Sequence, residues 1–288
     1  MSLNHDFYIL DVTEPGNHCF AEVALALQGA FAELGHVAPI VSEVRKEGVP
    51  IVLGGLVLDK FNLPPDRPAV IYNFEQVSPN SPFFQGGYLA AMKRYDTWDY
   101  SPRNIEALKA LGVDAALCGV GYAPSLSRIP PAPTKDIDIV FVGQFHPRRH
   151  AILSALHDAG CSVVAAGSGC YGAERDQLYA RAKIVLNIHY FDAHVFEIVR
   201  VSYLLANEIC VVSEIGLDQS LEAPFADSVA FAPYEKLVET CLALLSDEEK
   251  RTLIAREGRK AFAAMSQTPM LERALETFPA RQRGLVWY

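Results

Sequence analysis

Short runs of β-branched and aromatic residues alternate with helical patterns along most of the chain. The first run, Phe7-Tyr8-Ile9-Leu10-Asp11-Val12, is bounded by Glu14-Pro15-Gly16-Asn17. Val23, Leu27, Ala30, Phe31 and Leu34 then recur at helical spacing, and Gly35 supplies a stop. Strands are predicted at Val37–Val41, Pro50–Leu53, Ala69–Tyr72, Thr97–Tyr100 and Ala115–Gly119. Between the last two, Pro102–Leu111 reads as a helix with Ser101 as its cap, Pro102 at the first position and Gly112 beyond the end.

From Pro124 to Lys135 the pattern breaks: Pro124, Pro130, Pro131 and Pro133 exclude a helix or a central strand, so this stretch reads as a linker. Alternation then resumes. Strands are predicted at Ile137–Val142, Ser162–Ala166, Ile184–Ile188 and Ile209–Ser213. Helices are predicted at Pro147–Ala159, Ala173–Ala182 and Val195–Ala206. Tyr234 to about Glu276 reads as helical. Strands that alternate with helices imply parallel sheets covered on both faces. The expected fold class is therefore α/β, with two doubly wound Rossmann-like domains facing across a cleft. The expected division is 1–125, a linker at 126–135, and 136–288 as a second domain with a helical tail.

Composition narrows the function classes. Half of the 288 residues are hydrophobic and a fifth are charged, which predicts a well-buried core. The net charge of −9 argues against a nucleic-acid-coating surface. The six cysteines are far apart, with no CxxC pair and no zinc spacing, and read as reduced thiols of a cytoplasmic protein. Asp6, Asp11 and Glu14 disfavour a secretory signal, and the apolar run Ile51–Leu58 is too short to span a bilayer.

Parallel sheets bind ligands past the carboxyl ends of their strands, which selects the loops to inspect. Val142-Gly143-Gln144 leaves a strand and enters a helix at Pro147, with Arg148 and Arg149 close behind. It is either an anion-binding turn at a helix N-terminus or an ordinary turn with solvated arginines. Gly16, Asn17 and His18 form the equivalent loop of the first domain: a ligand loop with His18 as a proton-transferring group, or a helix entry capped by Asn17. Glu75, in the loop after the Ala69–Tyr72 strand, joins them as an acceptor-side candidate. Asn187 and His189 end a buried strand, and Glu197 and Arg200 follow at the opening of the next helix. That last pair either contacts a nucleotide or forms a simple (i, i+3) ion pair. Gly167-Ser168-Gly169-Cys170 with Gly172 lacks the spacing of a dinucleotide fingerprint.

Three segments of the second half, in order, resemble the nucleotide-binding domain of GT-B glycosyltransferases, particularly CgeB-like and family-1-like bacterial proteins. They are Ile139–Gly143 with Arg148-Arg149; Tyr179–Asn187; and Phe196-Glu197 through Ala206 to Glu214. Tyr234–Ala264, with its Leu244-Leu245-Ser246-Asp247 turn, is similar to the tail of that domain. The resemblance covers roughly residues 136–265. It implies a metal-independent, cofactor-free glycosyltransferase taking a nucleotide-sugar donor and an unidentified acceptor. Gly143 with Arg148 or Arg149 would meet the diphosphate, and Glu197 the ribose. Leu205 stands where many relatives carry a second glutamate. A silent nucleotide-binding or assembly module, or a sugar-nucleotide epimerase, is the alternative on the same architecture.

Overall fold

A computed structural model describes residues 5–13, 16–56, 63, 65–78, 81, 83–84, 86–190, 194–217 and 219–282. They form two compact units. The first is built from the chain up to Ser125 together with residues from Ser266 onward; the second is Leu126–Met265, with Gly16–His18 counted to it.

The first unit carries a six-stranded sheet in the order β2-β1-β3-β4-β5-β6, parallel throughout. Its strands are β1 (Phe7–Asp11), β2 (Ile40–Val41), β3 (Val49–Leu53), β4 (Val70–Asn73), β5 (Asp96–Asp99) and β6 (Ala115–Leu117). All five residues of β3 are buried, which is why it reads as a continuous apolar run. Helices α1 (Ala21–Glu33), α2 (Gly86–Arg94) and α3 (Pro102–Ala110) connect the strands. Along β1 successive side chains enter different cores. Tyr8 and Leu10 pack with Tyr88 and Met92 of α2 and Leu108 of α3, whereas Phe7 stacks on Phe31 of α1. The Ser101 cap on α3 is present, its hydroxyl accepting from Asn104 N at 3.3 Å, and Gly35 and Gly112 take positive φ beyond their helices. Two differences stand out. The Val37–Val41 strand shortens to β2, leaving Val37 88% exposed at the sheet edge. Helix α1 begins at Ala21 with Phe20 as its cap residue, so Asn17 is not the cap.

The second unit holds a five-stranded parallel sheet in the order β11-β10-β9-β7-β8. Its strands are β7 (Ile137–Val142), β8 (Val163–Ala166), β9 (Ala182–Asn187), β10 (Val211–Glu214) and β11 (Ala230–Ala232), the last not foreseen from the sequence. Its helices are α4 (Pro147–Asp158), α5 (Gly172–Arg181), α6 (Ile198–Ala206), α7 (Leu237–Leu245) and α8 (Glu248–Ala263). Ile139, Phe141, Ile184 and Leu186 bury against Leu156 of α4 and Leu237, Cys241 and Leu244 of α7.

The division differs from the expected one at both ends of the second unit. Helix α9 (Gln267–Gln282) packs on α1, β5 and β6 of the first unit instead of extending the second. Leu271, Ala274, Leu275 and Phe278 form its buried stripe, and the three large side chains contribute about 1.5–3 kcal/mol each. Gln267 anchors its start, accepting from Gly121 N at 2.7 Å and donating to Gly119 O at 3.0 Å. Periodicity shows that a helix has an apolar face but not which core receives it. Residues 126–129 of the proline-rich stretch, in turn, are strapped to the end of α6. Asn207 accepts from Arg128 N and Ile129 N and donates to Leu126 O and Tyr203 O, at 2.8–2.9 Å. Arg128 also donates to the Tyr203 hydroxyl at 2.9 Å.

No helix among the described residues is long and apolar enough to cross a membrane. All six cysteines are free thiols.

Candidate functional site

In the second unit the carboxyl ends of β7, β9 and β10 converge on the N-terminus of α6. Gly143, at φ +155°, follows β7, and a Cβ there would sit 3.1 Å from Arg200 Nη2. Glycine at this turn therefore lets the Arg200 guanidinium lie directly on the backbone. Arg200 donates to Asn187 Oδ1 at 2.8 Å, and Asn187, fully buried, donates to Glu197 Oε2 at 2.9 Å and Ser213 Oγ at 3.0 Å. Glu197 occupies the cap position of α6, which begins at Ile198, three residues later than predicted. Its other oxygen, Oε1, lies 3.1 Å from His189 Nδ1. The alternative of a direct Glu197–Arg200 pair gives way to Asn187 and His189 as the partners of Glu197, with Arg200 bonded to the same Asn187.

Burial opposes the charge on Glu197, but the His189 bond and charge, with Arg200 and Asn187, hold its pKa at about 2. Burial also disfavours a charged His189, yet Glu197, Glu214 and Glu222 outweigh it and raise the imidazole pKa. The result is an ion pair in which His189 is fully buried, its ring stacked on His194 at 5.0 Å. His189 Nε2 has no hydrogen-bond partner among the described residues.

The neighbouring arginines are placed differently from the expectation of a diphosphate clamp. Arg149 is 2% exposed; it donates to Ile188 O at 2.6 and 2.9 Å and to Gln144 O at 2.8 Å. It lies 5.2 Å from the ring centroids of both Phe141 and Tyr190, and burial lowers its pKa to about 10. Its role is to staple the Gly143-Gln144 turn to the end of β9, because a buried guanidinium must be fully hydrogen-bonded. Arg148 pairs bidentately with Glu214 and lies over Tyr234 at 4.1 Å. Glu214 Oε2 also accepts from His189 N at 3.0 Å. Arg148 and Arg200 are both half-exposed, and of the three arginines Arg200 is the one that lies against Gly143. The structure thus brings together Gly143, Asn187, His189, Glu197 and Arg200, backed by Gln144, Arg148 and Arg149. Ser213 and Glu214 complete the cluster. They were missed as site residues, although they lie at the end of the predicted Ile209–Ser213 strand, where the same rule applies.

In the first unit the equivalent strand ends carry a buried polar network. Asp99, Asn73 and Asn104 are fully buried. Asp99 accepts from Asn73 at 2.6 Å, from Asn104 at 3.2 and 3.3 Å and from Ser101 N at 2.8 Å. The Tyr88 hydroxyl donates to Asn73 Oδ1 at 2.7 Å. Burial, only partly offset by these donors, raises the Asp99 pKa to about 7. Glu75 lies in the loop this network holds. Gly16, at φ +83°, and Asn17 and His18 are grouped with the second unit, where the His18 ring stands edge-on to Tyr171 at 6.2 Å. Pro15, of the same predicted loop, lies outside the described residues. Among the described residues no group of three or more His, Cys, Asp or Glu side chains is placed to hold a metal.

The α/β fold with its two parallel sheets matches that of GT-B glycosyltransferases of known structure. AviGT4, a glycosyltransferase involved in avilamycin A biosynthesis, superposes with a TM-score of 0.61 at 16% identity, over 99% of this chain and all of that one. HepE of Anabaena, in complex with UDP and glucose, gives 0.64 at 12% identity, over 96% of this chain and all of that one. WaaG, a glycosyltransferase involved in lipopolysaccharide biosynthesis, gives 0.58 at 11%, over 94% and 99%. No family model matches the chain. Among curated sequences, the uncharacterized proteins L140 and L138 of Acanthamoeba polyphaga mimivirus are 35% and 31% identical over 115 and 123 residues. Those stretches are 39% and 42% of this chain, and only 38% and 14% of the viral proteins.

Proposed function

We propose that the chain is a glycosyltransferase that holds the diphosphate and ribose of a nucleotide sugar at the carboxyl end of the second unit's sheet. The observation that carries this is the Gly143–Arg200–Asn187–Glu197 cluster at the N-terminus of α6. It combines a backbone bared of Cβ, a half-exposed guanidinium, the positive end of a helix and a carboxylate held in the charged form. Arg200 and the positive end of α6 serve the phosphates, and Glu197 serves the ribose. Arg148 and Arg149 position the turn. A shared fold with glycosyltransferases, one of them bound to UDP and glucose, supports the reading. Helix dipole and guanidinium offset leaving-group charge without a required metal. His18 is proposed to act on the acceptor, and no nucleic acid is expected as a partner.

Calorimetric and thermal-shift titration with UDP, GDP, ADP and CMP tests the donor site. A ligand at about 100 times its dissociation constant adds about 2.7 kcal/mol to stability. One of the four is expected to raise the melting temperature at millimolar concentration; no shift with any of them refutes the donor site. Slow hydrolysis of the matching nucleotide sugar is the expected sign of turnover. Binding without hydrolysis across a donor panel would instead support a nucleotide-binding module.

A further inference from the structure

His189 orients the Glu197 carboxylate while its own ring is held by one nitrogen only. Nδ1 lies 3.1 Å from Glu197 Oε1, and because a carboxylate only accepts, Nδ1 is the donor. Nε2 has no partner among the described residues, although the residue is fully buried. Backbone bonds place the residue without fixing its ring: His189 N donates to Glu214 Oε2 at 3.0 Å, and its carbonyl accepts from Arg148 at 3.3 Å. An imidazole bonded at both nitrogens cannot turn. One bonded at a single nitrogen keeps its plane only if something packs against its face.

His194 covers that face, its ring 5.0 Å from that of His189 and inclined to it by 10°. The residue takes φ +45°, a left-handed backbone that Glu208 alone shares among the described non-glycine residues. Strain of this kind persists where the surroundings impose it, and such positions cluster at functional sites. Here the loop after β10 imposes it. The His194 carbonyl accepts from Leu217 N at 3.2 Å. Gly216, just before, lies so close that a Cβ there would stand 2.5 Å from the His194 oxygen and 2.8 Å from Glu222 Oε1. Glu222 is buried and accepts from Gly216 N, which fixes the loop. Val195 and Phe196 are buried too, so the chain between His194 and Glu197 is anchored in the core.

We propose that His194 is a positioning residue: the loop after β10 holds it left-handed so that its ring keeps the His189 imidazole, and through it the Glu197 carboxylate, in the orientation a ligand meets. That the ligand is a nucleotide and the contact its ribose rests on the reading above; the alignment of the three side chains does not. Glu197, Glu214, Glu222 and Arg148 are the charged groups around His189, and the variants that test the proposal leave all four in place.

Three variants of the full chain separate the ring from the backbone. His194→Gly removes both ring and strain, His194→Asn removes the ring but tolerates the left-handed region, and His194→Phe keeps a flat ring. The first readout is the proton NMR signal of His189 Nδ1–H, which a charge-assisted bond to a carboxylate moves downfield and protects from exchange with water. It is expected in the wild type and in His194→Phe, and lost to exchange in the other two. The second readout is calorimetric affinity for UDP, GDP, ADP and CMP. Affinity for whichever binds is expected to fall about tenfold in His194→Gly and His194→Asn, the scale of freeing one ordered side chain, and to stay within about twofold in His194→Phe. A residue that served folding alone would move the melting temperature and neither readout. No protected Nδ1–H signal in the wild type, an unmoved signal in the glycine and asparagine variants, or its loss in His194→Phe overturns the proposal. Failure of every nucleotide to bind the wild type would fault the donor site instead, and the Nδ1–H signal would still decide the alignment.

Discussion

Replacing Glu197 with glutamine keeps its shape and removes its charge, leaving a buried imidazole facing an amide. The carboxyl pKa falls from 4.5 to about 2 on folding despite burial, so its net favourable interactions are worth about 3 kcal/mol at about 1.4 kcal/mol per pH unit. Breaking one side of a buried ion pair is in the same range, about 3–5 kcal/mol. At roughly 2–4 °C per kcal/mol, Glu197→Gln is expected to lower the melting temperature by roughly 6–12 °C at pH 7. The sign with pH follows from the depressed pKa. The stabilisation is fully present above the unfolded value of 4.5 and is lost as pH falls through about 2, so the gap between wild type and variant should shrink by roughly half at pH 3. His189 reports the same contact from the other side: its raised pKa should drop in the variant, read from the imidazole Hε1 resonance. Calorimetry on that protein measures the ribose role separately, with an expected loss in nucleotide affinity of roughly 10- to 100-fold. A melting point within about 2 °C of wild type at pH 7, with an unmoved His189 titration, would refute the ion-pair reasoning. Unchanged affinity in a destabilised protein would leave Glu197 as a structural group only.

Further outcomes are expected elsewhere. Asp99 has the opposite linkage: with its folded pKa near 7 against an ordinary 3.8, the folded state holds the proton, so its contribution is full below about pH 4 and is lost as pH rises to 7. Asp99→Asn should therefore flatten the decline in melting temperature between pH 5 and 7.5, and an unaltered slope would disprove the assignment. Asn207→Ala removes three strap hydrogen bonds and one to Tyr203 O of α6 and should cost about 2 kcal/mol, with faster tryptic cleavage after Arg128; cleavage at the wild-type rate would show that the strap is held by other contacts.

Much of the fold was legible because buried parallel strands announce themselves as apolar runs: Val49–Leu53 and Ile137–Val142 are buried on both faces and read that way. Strand β11, of three residues, is too short for any period to register, and β2 keeps only the last two residues of the run that predicted it. In the candidate cluster, Gly143, Asn187, Glu197 and Arg200 were selected by one rule, the carboxyl ends of strands. The division of labour among the arginines was not, because Arg148, Arg149 and Arg200 are chemically alike in one dimension. Only packing shows that Arg149 enters the interior and that Arg148 meets Glu214, 66 positions away. Asn73 and Asp99 escaped notice for a related reason. A polar residue ending a strand looks solvated until its partners, 26 residues apart, are brought together.

The return of α9 to the first unit has a consequence for biosynthesis. The sheet that starts the chain waits for a helix separated from Ser125 by the whole of the second unit. During translation the second unit can close as soon as it has emerged, since Leu126–Met265 contains its entire sheet. The earlier one must persist with the face around Phe7 and Phe31 open until Leu271, Leu275 and Phe278 arrive. At about 5–20 residues per second that interval lasts roughly 7–30 seconds, long enough for a chaperone to recognise the uncovered aromatic face. The nascent first unit is thus the stage at which this protein is most exposed to aggregation.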